Sequence, residues 1–266
     1  VYITLLWNNV TLWRSINPFA SIVDYQHGII FDGHPLYIKD GQPPKVKCLN
    51  DISTLVYGDI FKNVLIDNDK SGFYNEENVI KVGINKSFNL QKKALNTKKI
   101  LFSLQIANDF EENFYLLYIE IVQTLIAKNA NFLSSHNYEV IFKHHPRFSK
   151  DHCLDLNLEY DFTYFDNHRS MEDLLSIVDI HITFNSTSIF DASMMGVPSI
   201  LIDMHEQMSP YEIFINQYEY PCKNLILKNY KALENILIES TNNDLYSKYS
   251  NEVYTWYKQH YNGFDE

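Results

Sequence analysis

From residue 99 to residue 202 the sequence alternates short β-rich runs with helical stretches, and most of the β-rich runs end in a polar or glycine turn. This alternation constrains the fold more than any other feature. Strands joined through helices run parallel, because a parallel neighbour needs a long crossover, and the crossovers then cover the faces of the sheet. The pattern predicts a strand at 99–104 and a helix over 111–129, in which Phe114, Leu117, Tyr118, Ile121, Leu125 and Ile126 recur at helical spacing. Glu111 and Glu112 suit the positive end of that helix. Strands follow at 138–143, 162–164 and 180–183, with a helix at 171–177 and another ending at Met195. Gly196-Val197-Pro198 then turns into an apolar strand at 199–202, and the tail from Ala232 reads as helices.

The first half repeats the theme. Strands are predicted at 1–7, 21–25, 54–57 and 79–82, the last two closed by Gly58 and Gly83, with a helix at 59–66. Residues 85–97 are polar and aperiodic and read as a linker. The expected architecture is therefore α/β, with two domains facing across a cleft: 1–90 and 98–266. The chain opens on an apolar strand without an initiator Met, so a preceding segment and a partial amino-terminal domain are expected.

Thirty-three acidic against 22 basic side chains leave a net charge of −11. That balance, with no long Lys/Arg cluster, argues against nucleic acid as a partner. No apolar run approaches the roughly 20 residues that cross a bilayer, which points to a soluble protein and leaves peripheral membrane attachment open. Cys48, Cys153 and Cys222 are odd in number and widely spaced, so they read as reduced structural thiols of a cytoplasmic protein.

In an open parallel sheet, ligands collect beyond the carboxyl ends of the strands. Polar groups fall at four such ends. Gln26-His27-Gly28 follows the second strand, and a histidine there is suited to general-base work near neutral pH, with Asp24 and Asp32 as nearby alternatives. His34 and Tyr37 follow on a loop; a His27–His34 metal pair lacks both helical spacing and an acidic third ligand. Gln105 closes the strand at 99–104. Lys143-His144-His145-Pro146-Arg147 is a basic turn in which Pro146 pushes His145 into an extended backbone, and it suits a phosphate. Asn185-Ser186-Thr187-Ser188 sets hydroxyls at a helix start, more than capping alone requires. The strands bearing His145 and residues 186–188 are expected to be neighbours, with a phosphate between them. Asp203, His205 and Glu206 read as a polar loop. The Gly-x-x-x-x-Gly-Lys, Gly-x-Ser-x-Gly and Gly-x-Gly-x-x-Gly patterns are absent.

Taken in order, Gln26-His27-Gly28 with His34-Pro35-x-Tyr37, then 101–105, Lys143-x-His145-Pro146-Arg147 and Asn185-Ser186-Thr187-Ser188 before Gly196-Val197-Pro198 resemble the bacterial surface-polysaccharide glycosyltransferases of the B-type fold. The likeness runs from about Ser21 to Asp203. It extends to capsule and lipopolysaccharide transferases, to teichoic-acid glycerophosphotransferases and to bacterial sialyltransferases, whose His-Pro and Ser-Ser/Thr motifs bind a cytidine nucleotide. It implies two Rossmann-like domains, a nucleotide-activated donor on the carboxyl-terminal one and a glycan or lipid-linked acceptor on the other, and no cofactor or metal. Gln105, His145, Arg147, Asn185, Ser186, Thr187 and Ser188 would bind the donor. His27 would be the base, with Gln26, His34 and Tyr37 on the acceptor side; the sialyltransferase acidic motif is replaced here by Gln26-His27-Gly28. The implied place is the cytoplasm, at or near the inner membrane face. Two other readings stand beside this one: a non-catalytic nucleotide or sugar-phosphate binder, and an epimerase acting on a uridine donor, for which no acidic pair is evident.

Overall fold

The computed structural model describes residues 2–4, 9–84, 98–105, 112–146, 156, 158–240 and 242–261. The chain forms two compact units, Val1–Ser87 with Lys258–Glu266, and Phe88–Tyr257. The sequence reading put the end of the last helix with the second domain; it groups with the first.

In the second unit, strands β5 (Lys99–Ser103), β6 (Glu139–Lys143), β7 (Thr163–Phe165), β8 (Ile180–Thr183), β9 (Ser199–Ile202) and β10 (Ile226–Leu227) form one parallel sheet in the order β10-β9-β8-β5-β6-β7 among the described residues. All four residues of β8 and of β9 are buried, as strands covered on both faces must be. One face packs on α5 (Met171–Ile177) and α6 (Ser188–Met194), where Leu101, Ile141, Leu174, Leu175, Val178, Ala192 and Val197 make a continuous core. Helix α5 has the predicted bounds and starts where Ser170 and Asp173 cap each other reciprocally.

Helix α4 (Glu112–Ser135) runs past the predicted stop at Asn129. The buried stripe continues through Phe132 and Leu133, and the Asn129 amide, itself buried, donates to the Leu125 and Tyr230 carbonyls. A polar residue that satisfies itself on the apolar face looks like an ending in sequence. Beyond β9 lie a π-helical segment Tyr211–Gln217 and helices α7 (Ala232–Ser240) and α8 (Asn243–His260).

In the first unit, β1 (Tyr2–Thr4), β2 (Ile22–Tyr25), β3 (Ser53–Val56) and β4 (Val79–Lys81) form a parallel sheet in sequence order, with α3 (Asp59–Asn68) between the last two. Two short helices escaped the sequence reading. Helix α1 (Val10–Ile16) buries only Val10, and α2 (Lys45–Asn50) turns a lysine inward, so neither carries an apolar stripe. No described helix is long and apolar enough to cross a membrane.

Candidate functional site

The strand order of the second unit, rewritten by position along the chain, is 6-5-4-1-2-3. Successive strands extend the sheet one way from β5, then return to its other side, so the direction of winding reverses between β5 and β8. Open α/β sheets take ligands beyond the carboxyl ends of the strands at such a reversal.

Two of the predicted residues meet there. Gln105 follows β5 and Asn185 follows β8; the Gln105 Nε2 donates to Asn185 Oδ1 at 2.8 Å, and the Asn185 backbone N–H returns a bond to Gln105 Oε1 at 3.2 Å. The Gln105 backbone is anchored from below, its N–H donating to the buried Tyr118 hydroxyl at 2.9 Å. An amide has more donors than this pair consumes, so N–H groups of both side chains remain for a ligand. Ser186 is half-buried and its hydroxyl accepts from the Ser188 N–H at 3.2 Å, while Thr187 is exposed and its side chain makes no capping bond.

Ser188 is placed differently from its neighbours. Its hydroxyl turns inward, 2.9 Å from Ser103 Oγ and 3.3 Å from His181 Nε2. His181 also meets Ser103 Oγ at 2.7 Å and, through Nδ1, Ser199 Oγ at 2.8 Å. Sequence reasoning passed over Ser103 and His181; the available signal was a histidine between the two isoleucines of β8.

Burial drives the His181 imidazole pKa down from 6.5 to about 3. The unfolded chain thus takes up a proton near 6.5 and the folded chain does not, so acid favours unfolding. The stability from keeping His181 neutral is complete above that pH and falls by about 1.4 kcal/mol per pH unit below it, down to the folded pKa. Urea unfolding followed between about pH 7 and pH 5 is expected to show this slope, and His181→Gln to flatten it. An unchanged slope would show that His181 is already solvated.

At the end of β6, Lys143 Nζ donates to the Arg169 carbonyl at 2.6 Å, and the His144 N–H to Asn167 Oδ1 at 2.9 Å. Of the two histidines, His144 is buried and stacks on Phe165 at 4.8 Å, whereas His145 is half-buried. Lys143, His144, His145, Pro146 and Asn167 line a pocket of about 340 Å³. Arg147 lies outside the described residues. The strands expected to be neighbours are not: β5 lies between β6 and β8. At about 4.8 Å per strand, the ends of β6 and β8 stand about 10 Å apart, more than one phosphate spans.

In the first unit, Gln26 is buried and works as a brace. Its Nε2 donates to the Gly28 carbonyl at 2.8 Å, its Oε1 accepts from the Tyr57 N–H at 2.8 Å and its carbonyl from the Tyr57 hydroxyl at 2.6 Å. Tyr37 is wholly buried, and its hydroxyl accepts from the His27 N–H at 2.6 Å. Gly28 takes φ 82°, a left-handed turn that costs other residues more. These contacts fix the backbone and leave the His27 side chain exposed. His34 is half-buried, edge-on to Phe31 and Tyr37; its Nδ1 accepts from the Leu36 N–H at 3.1 Å, and burial lowers its pKa. Gln26 and Tyr37, read as acceptor-side groups, are thus buried supports for the turn. Beneath them Asp24 and Lys47 form an interior ion pair at 2.7 Å, with Lys47 Nζ donating to Thr54 Oγ1 at 3.1 Å.

No protein-family model and no curated protein sequence matches the chain. Solved structures do. TarM superposes with a TM-score of 0.52 at 14% identity over 91% of this chain and 48% of its own. The glycotransferase of kitacinnamycin gives 0.54 at 10% over 99% and 73%, and the wall teichoic acid polymerase TagF 0.53 at 15% over 90% and 64%. The chain thus spans about half the length of the first of these and just under two thirds of the last. The fold is that of the B-type glycosyltransferases, with two Rossmann-like units.

Proposed function

We propose that this protein is a glycosyltransferase that moves a sugar or polyol phosphate from a nucleotide-activated donor, of cytidine type, to a surface-glycan or lipid-linked acceptor without a metal. The observation that carries the reading is the Gln105–Asn185 amide pair at the reversal point of the second sheet. Its spare N–H groups, the Ser186 and Thr187 hydroxyls and the Lys143–His145 pocket give donors and positive charge about 10 Å apart, a span that suits a nucleoside diphosphate better than a lone phosphate. Arg147 belongs to the same proposed set. In such a reaction the acceptor hydroxyl gives its proton to a base, assigned here to His27, as its oxygen attacks the anomeric carbon or phosphorus. The donor bond breaks with its electron pair on the departing phosphate, which the cationic and N–H groups stabilise. TagF, a neighbour in fold, is named as a wall teichoic acid polymerase and supports keeping polyol phosphate beside sugar.

Calorimetric titration with cytidine, uridine and guanosine diphosphates tests the reading. Asn185→Ala is expected to weaken the preferred nucleotide about tenfold, the equivalent of one good hydrogen bond. Failure of all three nucleotides to bind, or unchanged affinity in both Asn185→Ala and Gln105→Ala, would overturn the assigned site. Binding without transfer would favour the non-catalytic binder.

A further inference from the structure

We propose that His181 is a positioning residue, a buried hub that ties the ends of β5, β8, β9 and α6 together and so holds Gln105 and Asn185 in register at the reversal point. The inference deepens the reading above and rests on it for its functional arm.

The three serines around the imidazole come from different elements: Ser103 is the last residue of β5, Ser188 the first of α6, and Ser199 the first of β9. Backbone pairing already sets Leu101, His181 and Ser199 side by side across the sheet. The hub adds what backbone pairing cannot supply, a link from the sheet to the start of α6. Gln105 lies two residues beyond Ser103, and Asn185 three before Ser188. A shift of either serine therefore moves one partner of the amide pair. The link continues outward, since the Tyr220 hydroxyl accepts from the Ser199 N–H at 2.8 Å and donates to its carbonyl at 3.1 Å.

Proton bookkeeping agrees with a fixed arrangement. A neutral imidazole carries one N–H and one acceptor nitrogen, and each serine one hydroxyl proton; in either tautomer these supply one proton each to the Ser103–His181, Ser199–His181 and Ser103–Ser188 contacts, while the longer Ser188–His181 contact at 3.3 Å closes the triangle without a proton of its own. A serine–histidine nucleophile is the competing explanation, and burial defeats it. His181 is 0% exposed, Ser103 4% and Ser188 5%, so no substrate atom reaches them. An imidazole with so low a pKa is also a poor base.

The histidine's two limbs can be removed separately. The side-chain amide of Asn reaches about as far as Nδ1 and keeps the Ser199 limb; that of Gln reaches about as far as Nε2 and keeps the Ser103–Ser188 limb; Leu keeps neither. Amide hydrogen exchange in residues 185–190 reports on the loop without any ligand, because the Asn185, Ser188 and Phe190 N–H groups are bonded to Gln105 Oε1, Ser186 Oγ and the Thr187 carbonyl. The second readout is cytidine or uridine diphosphate affinity. His181→Asn and His181→Leu are expected to speed exchange in 185–190 and to weaken the nucleotide about tenfold, while His181→Gln stays within about twofold of the parent on both. If His181→Leu does not fold, Ser188→Ala supplies the same cut and the same expected exchange. Equal behaviour of Asn and Gln, or loss of melting temperature with unchanged exchange in 185–190, would overturn the proposal and leave His181 as packing. If the parent binds neither nucleotide, the functional reading fails, and the exchange arm still decides the role of His181.

Discussion

His27→Asn is expected to cut transfer by about 10²–10⁴-fold while leaving nucleotide affinity unchanged. The expectation starts from the backbone. The chain leaves β2 through a turn whose residue 26 carbonyl, 27 N–H and 28 carbonyl are each bonded to a neighbouring side chain, so the His27 Cα is fixed while the imidazole is exposed. A base needs that combination of a fixed pivot and an accessible ring. Asparagine can hydrogen-bond but cannot take up a proton in this range, so it separates proton transfer from substrate positioning. Transfer and nucleotide titration on the same preparation give the answer. If turnover survives near the parent level, His27 is structural and the exposed Asp32 is the remaining candidate. Asp24, close in sequence, is withdrawn from that role by its burial against Lys47. If nucleotide affinity falls together with turnover, the assignment of donor binding to the second unit is wrong.

The largest expected stability effect lies beneath the same turn. Lys47 is 0% exposed and Asp24 1%. Burial pushes the Lys47 ammonium pKa down, and Asp24 at 2.7 Å opposes that shift. Thr54 Oγ1 accepts a hydrogen bond from the ammonium, and the charge also sits 4.8 Å from the centre of the Tyr37 ring, whose hydroxyl holds His27. Lys47→Met removes the cation and strands the carboxylate, a change that costs about 3–5 kcal/mol when a buried pair is broken from one side. Lys47→Met combined with Asp24→Leu is expected to recover most of that loss, because an intact buried pair stabilises little more than apolar groups of similar volume. Amide exchange in β2 and β3 is the appropriate measurement, since two units need not unfold together and one melting midpoint would mix them. Equal stability of the single variant and the parent would mean that water reaches Asp24.

Local signals in the sequence fall where the elements begin and end. Met171–Ile177 has the bounds expected of it, and in the structure Ser170 and Asp173, three apart, cap each other at its start; Ser199–Ile202 was legible because Gly196-Val197-Pro198 can only turn. The parallel character of both sheets also follows locally, from strands that never return without a crossover. Gln105 and Asn185 could be picked out as strand-end amides before their partnership was known.

By itself, then, the sequence determined most of the strands and the longer helices, the parallel sheets, and the polar residues at strand ends, since each depends on neighbours within a turn or a strand. Only the tertiary structure decided which strands lie side by side, and with them the site. Periodicity records which residues share a face and is blind to lateral order, so β6 and β8 looked adjacent although β5 separates them. It is equally blind to where a polar side chain finds its partner: Ser188, read as a donor-binding hydroxyl, is bonded inward, and Lys47 and His181, which the sequence reading did not single out, are buried beside partners from other elements. A buried polar group is stable only beside partners brought from distant strands, and that proximity exists once the sheet has closed around it.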